Sequence, residues 1–124
     1  MKLTNNLRLL SFINESQGQM NVEDYNLSYH VYLMTAKKIG FSYAFRFDPE
    51  PYSSGLSDDI DILVDSEFIT HNSPYQITGR GKGRIAEAEP LLSEITPKIK
   101  GYVNTAKKWS RSDLFHQVYE LAVS

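Results

Sequence analysis

Three histidines, one acidic run and one glycine-rich basic run hold the residue types from which this chain could build chemistry. His30, His71 and His116 lie far apart, and none stands at metal-ligand spacing from another histidine or a carboxylate. His30 is expected on the surface of a helix or half-buried. Ser112-Asp113-x-x-His116 contains the residue types of a nucleophile, an orienter and a base. They fall within one or two turns of a predicted helix, however, where triad geometry is not expected. The acids Asp58, Asp59, Asp61, Asp65 and Glu67 lack the loop glycine and terminal glutamate spacing of a calcium loop, so a solvated helix face is the expectation. No catalytic residue, metal site or cofactor is therefore expected, and the chain reads as a non-enzyme.

The segment Gly79-Arg80-Gly81-Lys82-Gly83-Arg84 follows a predicted strand and opens a predicted helix. Backbone N–H groups and the helix dipole attract phosphate in that context. The segment lacks the Gly-Lys-Ser/Thr ending of a nucleotide loop and the spacing of a dinucleotide fingerprint, which argues against ATP. Arg80, Lys82 and Arg84 suit sequence-independent contact with the backbone of double-stranded DNA, with Lys107 and Lys108 as further candidates. The alternative is a flexible, solvated stretch.

The elements that would carry these residues follow from apolar spacing. Leu3, Leu7, Leu10 and Ile13 recur at helical period, with Gly18 as a stop. Residues 17–26 read as a polar connection, and a second helix is expected from about Leu27 to Lys38. Phe41, Tyr43, Phe45 and Phe47 alternate as in a half-buried strand, closed by Asp48-Pro49-Glu50-Pro51. Tyr52 to Gly55 opens a third helix to about Ser66, with Leu56, Ile60 and Leu63 inward. Residues 68–70 and 75–78 read as a hairpin turning at His71-Asn72-Ser73-Pro74. Beyond Thr78 the pattern is helical. Ile85, Ala88, Leu92, Ile95, Ile99, Tyr102, Ala106 and Trp109 form a seam of alternating three- and four-residue steps, broken into pieces by Pro90 and Pro97. Ser110 or Ser112 would cap a last helix.

This order predicts an α+β, mainly helical fold: a winged helix-turn-helix over residues 1–84 with a helical tail over 85–124, forming a single domain. The seam would pack on the first helix or pair two copies as a homodimer.

Charge is distributed unevenly: residues 1–47 carry +2, residues 48–67 carry −7 and residues 79–124 carry +3, for a net −2. The third helix, which in DNA-binding winged helices usually reads bases, bears four aspartates and no cation. Like-charge repulsion makes it a poor groove reader. Asp58, Asp61 and Asp65, beside Tyr52, would suit a basic protein partner instead. The absence of cysteine excludes disulfides and thiolate zinc sites. With no signal-peptide pattern and no membrane-length apolar run, a cytoplasmic location is expected.

Tyr43-x-Phe45, Pro51-Tyr52-Ser53, Leu56, Asp59-Ile60, Leu63 and Phe68-Ile69, followed by Tyr75-x-Ile77-Thr78, resemble a group of small archaeal and phage-associated winged-helix proteins. The likeness covers roughly residues 27–85, with a weaker echo in Leu114 to Tyr119. Glu50 stands where the group usually has glycine. The resemblance implies the fold and, through distant relatives, a regulator- or antitoxin-like role. Two expectations follow. In one, a dimeric regulator touches DNA through Arg80, Lys82 and Arg84; in the other, an interaction module uses its acidic third helix.

Overall fold

The first helix, α1 (Asn5–Ser16), starts where Thr4 accepts a hydrogen bond from the Leu7 N–H, and it stops before Gly18, whose φ of +73° suits glycine. These features belong to a computed structural model that describes residues 3–47 and 49–123. Asp48, part of the expected strand-closing turn, lies outside the described residues. Leu7, Leu10 and Ile13 are buried as their spacing predicts, and Leu9 and Phe12 are buried as well, so α1 is covered on more than one side.

The second helix, α2 (Asp24–Ala36), begins earlier than expected because Glu23 and Asn26 form a reciprocal capping box. It is also more deeply placed. Tyr29, His30, Val31, Leu33 and Met34 are all buried, and His30 is only 4% exposed, not at the surface.

The connection between α1 and α2 is not purely polar. Val22 is buried and bridges Tyr75, whose N–H donates to the Val22 carbonyl at 2.7 Å. The expected hairpin is present in reduced form, as a single antiparallel bridge between Ile69 and Ile77 flanked by Thr70–Gln76 and Thr78–Phe68 backbone bonds. The Tyr75–Ile77 arm therefore lies between Val22 and Ile69.

Phe41 and Tyr43 are buried while Ser42 and Ala44 are exposed, as alternation predicts, but only Arg46–Phe47 is paired (β1). Its antiparallel partner is Pro51–Tyr52 (β2), not the hairpin at 68–78. Proline at 51 has no N–H to extend that ladder. Phe47 is consequently exposed, contrary to its place in the alternation, and Tyr52 belongs to β2 instead of opening the next helix. That helix, α3 (Ser54–Asp65), is capped by Ser53, whose hydroxyl accepts from the Leu56 N–H, and it buries Leu56 and Leu63.

The remaining chain forms α4 (Gly79–Glu87), α5 (Glu89–Leu92), α6 (Thr96–Ala106) and α7 (Arg111–Ala122). Pro90 and Pro97 sit in first turns, where a missing N–H costs nothing. Ser110, not Ser112, caps α7 in a box with Asp113. The seam is occupied within the chain: Ala88, Leu92, Ile95, Ile99, Tyr102 and Ala106 are all buried in the core shared with α1. The fold is α+β and mainly helical. Among the described residues no helix is long and apolar enough to cross a membrane.

Candidate functional site

One concavity lies where the start of α2, the β1–β2 hairpin and α3 meet. It is a groove of about 490 Å³ lined by Asp24, Arg46, Glu50, Tyr52, Asp61 and Tyr75, with Leu27, Leu56 and Ile60 in its apolar wall. Three carboxylates thus face one cation. The Tyr75 hydroxyl donates to the Asp24 carboxylate, and burial, reinforced by that bond, pushes the phenol above its ordinary range. The Arg46 guanidinium stacks over the Tyr52 ring at 5.0 Å, so the groove's one cation is held against an aromatic face.

Tyr52 and Asp61, both candidates from the sequence, meet in this groove; Asp58 and Asp65 do not line it. Asp58 lines a separate depression with Asn5, Ser42 and Asp59, where Asp59 accepts the Tyr43 hydroxyl. Asp58, Asp61 and Asp65 form no ion pair among the described residues. Asp24 lies far along the chain from α3, and Glu50, although only four residues before it, sits in the β1–β2 turn, so only the packing of α2 and the hairpin brings them to Asp61.

The basic segment is helix, not loop. Thr78 caps α4 by accepting from the Gly81 N–H at 3.0 Å, while its own hydroxyl donates to the Glu67 carbonyl. Arg80 and Lys82 are exposed; the Arg80 guanidinium lies 5.8 Å from the Phe68 ring. Arg84 is partly engaged by Glu87 at 3.4 Å, so the three cations are not equivalent. Lys107, at the end of α6, donates to Gln19 at 3.1 Å, and Lys108 beside it is exposed. The two basic groups flank the loop after α1: Gln17 there accepts from the Ile77 N–H, two residues before Gln19.

Ser112, Asp113 and His116 all lie on α7, but Asp113 bonds back to the Ser110 N–H at 2.9 Å and His116 lies 3.7 Å from Glu120. His71 is exposed on the hairpin turn. Among the described residues no group of three His, Asp or Glu side chains is placed to hold a metal ion.

His30 is the polar residue whose place the sequence concealed. Its Nδ1 lies 2.8 Å from the Tyr102 hydroxyl, and the ring packs near Phe12. Burial lowers its pKa to about 4, and burial likewise pushes the Tyr102 phenol well up. The imidazole is neutral at neutral pH.

Comparison with protein-family models, curated proteins and solved structures finds no match to this chain.

Proposed function

We propose that this chain is a non-enzymatic, winged-helix regulatory protein that holds a basic segment of a partner protein in the groove between α2, α3 and the β1–β2 hairpin. The observation that carries the reading is the convergence of Asp24, Glu50 and Asp61 on one groove beside Tyr52. Carboxylates lacking ion-pair partners, set next to an exposed aromatic ring, suit an arginine or lysine side chain, with stacking and Coulomb attraction acting together. The winged-helix reading is supported by the element order and by the Tyr75–Ile77 arm lying between Val22 and Ile69, as a wing hairpin lies beside the short strand that follows the first helix. The departure is the β1–β2 hairpin, which fills the space between α2 and α3 where a helix-turn-helix has a short turn.

The test is fluorescence anisotropy of labelled Arg/Lys-rich peptides against purified protein. Asp61→Lys is expected to weaken binding about tenfold or more, whereas Asp58→Lys, outside the groove, changes it by less than about threefold. Equal effects would mean that the peptide senses only net charge, and the groove reading would be abandoned.

One observation favours a second reading, contact with DNA. Arg80 and Lys82 are exposed on the first turn of α4, and Gly79 and Gly83 have open space beside them. A phosphate could therefore approach the backbone. α3, which presents Asp58, Asp61 and Asp65 outward, would stay clear of the duplex. Replacing Arg80 and Lys82 by Ala should then reduce the salt dependence of duplex binding by about two. An unchanged slope rules the contact out.

A further inference from the structure

We propose that a second cavity, between the start of α2, the end of α6 and the start of α7, binds a small aryl carboxylate. The cavity has a volume of about 190 Å³, and its wall includes Tyr25, Asn26, His30, Lys107, Trp109 and Arg111. It is distinct from the acidic groove and shares no lining residue with it.

Three features point to an anion with a flat body. The first is His30. Its Nδ1 is taken by Tyr102, but its other ring nitrogen has no partner among the described residues, and its ring forms part of the cavity wall. That nitrogen is not sealed off, so it stays accessible to solvent or to a ligand in the cavity. Burial keeps the imidazole neutral, and a neutral ring that accepts from the Tyr102 hydroxyl at Nδ1 carries its proton on Nε2. That nitrogen is then a donor awaiting an acceptor.

The second is charge. Lys107 and Arg111 line the cavity against a single acid, Glu23, whose carboxylate is turned to the α2 capping box but keeps its charge. Asn26 is spent, donating to the Asn21 carbonyl and accepting from the Glu23 N–H. Two cations against one carboxylate leave the lining net positive, with the Lys107 ammonium also donating to Gln19.

The third is the aromatic lining. Arg111 lies 4.3 Å from the Tyr25 ring and 5.4 Å from the Phe115 ring, which holds the guanidinium at the rim with no hydrogen-bond acceptor among the described residues. Trp109 supplies a further flat wall. A carboxylate satisfied by His30, Lys107 and Arg111 would leave its ring against Trp109 and Tyr25.

Trp109 is the only tryptophan in the chain, so its fluorescence reads this cavity directly. The full-length protein would be titrated at constant ionic strength with benzoate, acetate, inorganic phosphate and neutral benzamide. A saturable change with benzoate is expected, with the other three at least about tenfold weaker. Arg111→Ala and Lys107→Ala should each weaken benzoate about tenfold, and His30→Phe should do the same by removing the imidazole donor. Should His30→Phe fail to fold, the two rim variants carry the test, since both residues are exposed. No saturable change below about 10 mM benzoate, benzamide binding as tightly as benzoate, or unaltered affinity in both rim variants would each overturn the proposal.

Discussion

Gly81 and Gly83 stand two residues apart on α4 and meet opposite surroundings. A Cβ on Gly81 would fall 2.2 Å from the Phe68 carbonyl oxygen and 2.7 Å from the Ile77 side chain, whereas one on Gly83 would meet nothing within 4 Å. Gly81→Ala should therefore force α4 off the hairpin and cost about 1–3 kcal/mol, since backbone cannot yield as a flexible side chain does. Gly83→Ala should stabilise by about 0.5–1 kcal/mol through helix propensity alone. Urea unfolding of the two variants checks both signs, and equal effects would mean that the close approach to Phe68 is misplaced. His30 gives a pH-dependent counterpart. Its pKa falls from 6.5 in the unfolded chain to about 4 in the fold. Above pH 6.5 both states hold it neutral and its contribution is complete. As pH falls from 6.5 towards 4 the unfolded chain takes up a proton that the fold refuses, so stability declines, by about 3 kcal/mol in all, and then levels off. Tyr102 stays protonated throughout this range, and Glu23, Lys107 and Arg111 around the neighbouring cavity are common to the wild type and a His30→Phe variant. The difference between their stability curves from pH 7.5 to 4.5 isolates the imidazole. Parallel curves would show that His30 takes its proton as freely in the fold as outside it.

On α3, neighbours in sequence have opposite fates: Leu63 is 2% exposed and Ile62 is 47% exposed. Leu63→Ala should cost about 2–5 kcal/mol by leaving a cavity against α1, and Ile62→Ala should stay within about 0.5 kcal/mol of the wild type. Thermal denaturation of the pair would show whether the buried stripe is correctly oriented; a reversed ranking would mean the helix is rotated. This stripe was legible in the sequence because Leu56, Ile60 and Leu63 recur at helical period, as do Leu7, Leu10 and Ile13 on α1. The sheet was legible only in part: the hairpin that carries the Ile69–Ile77 bridge could be read, but Val22, a single residue bridged to Tyr75, has no period to read. The alternation at 41–45 was real, yet periodicity gives the buried face and not the partner, so the β1–β2 pairing could not be inferred. The same limit hid most of the groove. Tyr52 and Asp61 were visible as an exposed aromatic and an acid on a helix, but the arrival of Asp24 and Glu50 depends on how α2 and the hairpin pack. His30 was misplaced because α2 is buried around most of its circumference, which leaves no polar face from which to read its orientation.

At the scale of the whole molecule, the boundary near residue 84 separates neither charge nor packing. The seven acids of 48–67 and the cations Arg80, Lys82 and Arg84 all lie before it or at it, and residues 85–124 balance five bases against five acids. One hydrophobic cluster runs from Leu7, Phe12 and Met34 through Ile99, Tyr102 and Val103 to Leu114 and Val118. α6 packs on α1, and α7 packs on α2, where the Tyr29 ring meets Phe115 edge-on at 4.7 Å. The tail therefore completes the core, and the seam that could have joined two copies already faces inward. A dimer of this chain would have to form through another surface. The energetic consequence is cooperativity. Removing residues 85–124 would strip the cover from α1 and α2 and expose apolar side chains that α6 and α7 now bury, so a fragment ending at Arg84 should lack a stable fold. In the intact protein, urea unfolding followed by Trp109 fluorescence, which reports on the tail, should coincide with unfolding followed by far-ultraviolet circular dichroism, which weights all the helices. A tail that undocked first would shift the fluorescence midpoint below the dichroism midpoint. Two separate midpoints, or a folded 1–84 fragment, would make the tail an independent module, and the α6–α1 and α7–α2 contacts would then be too weak to couple it to the core.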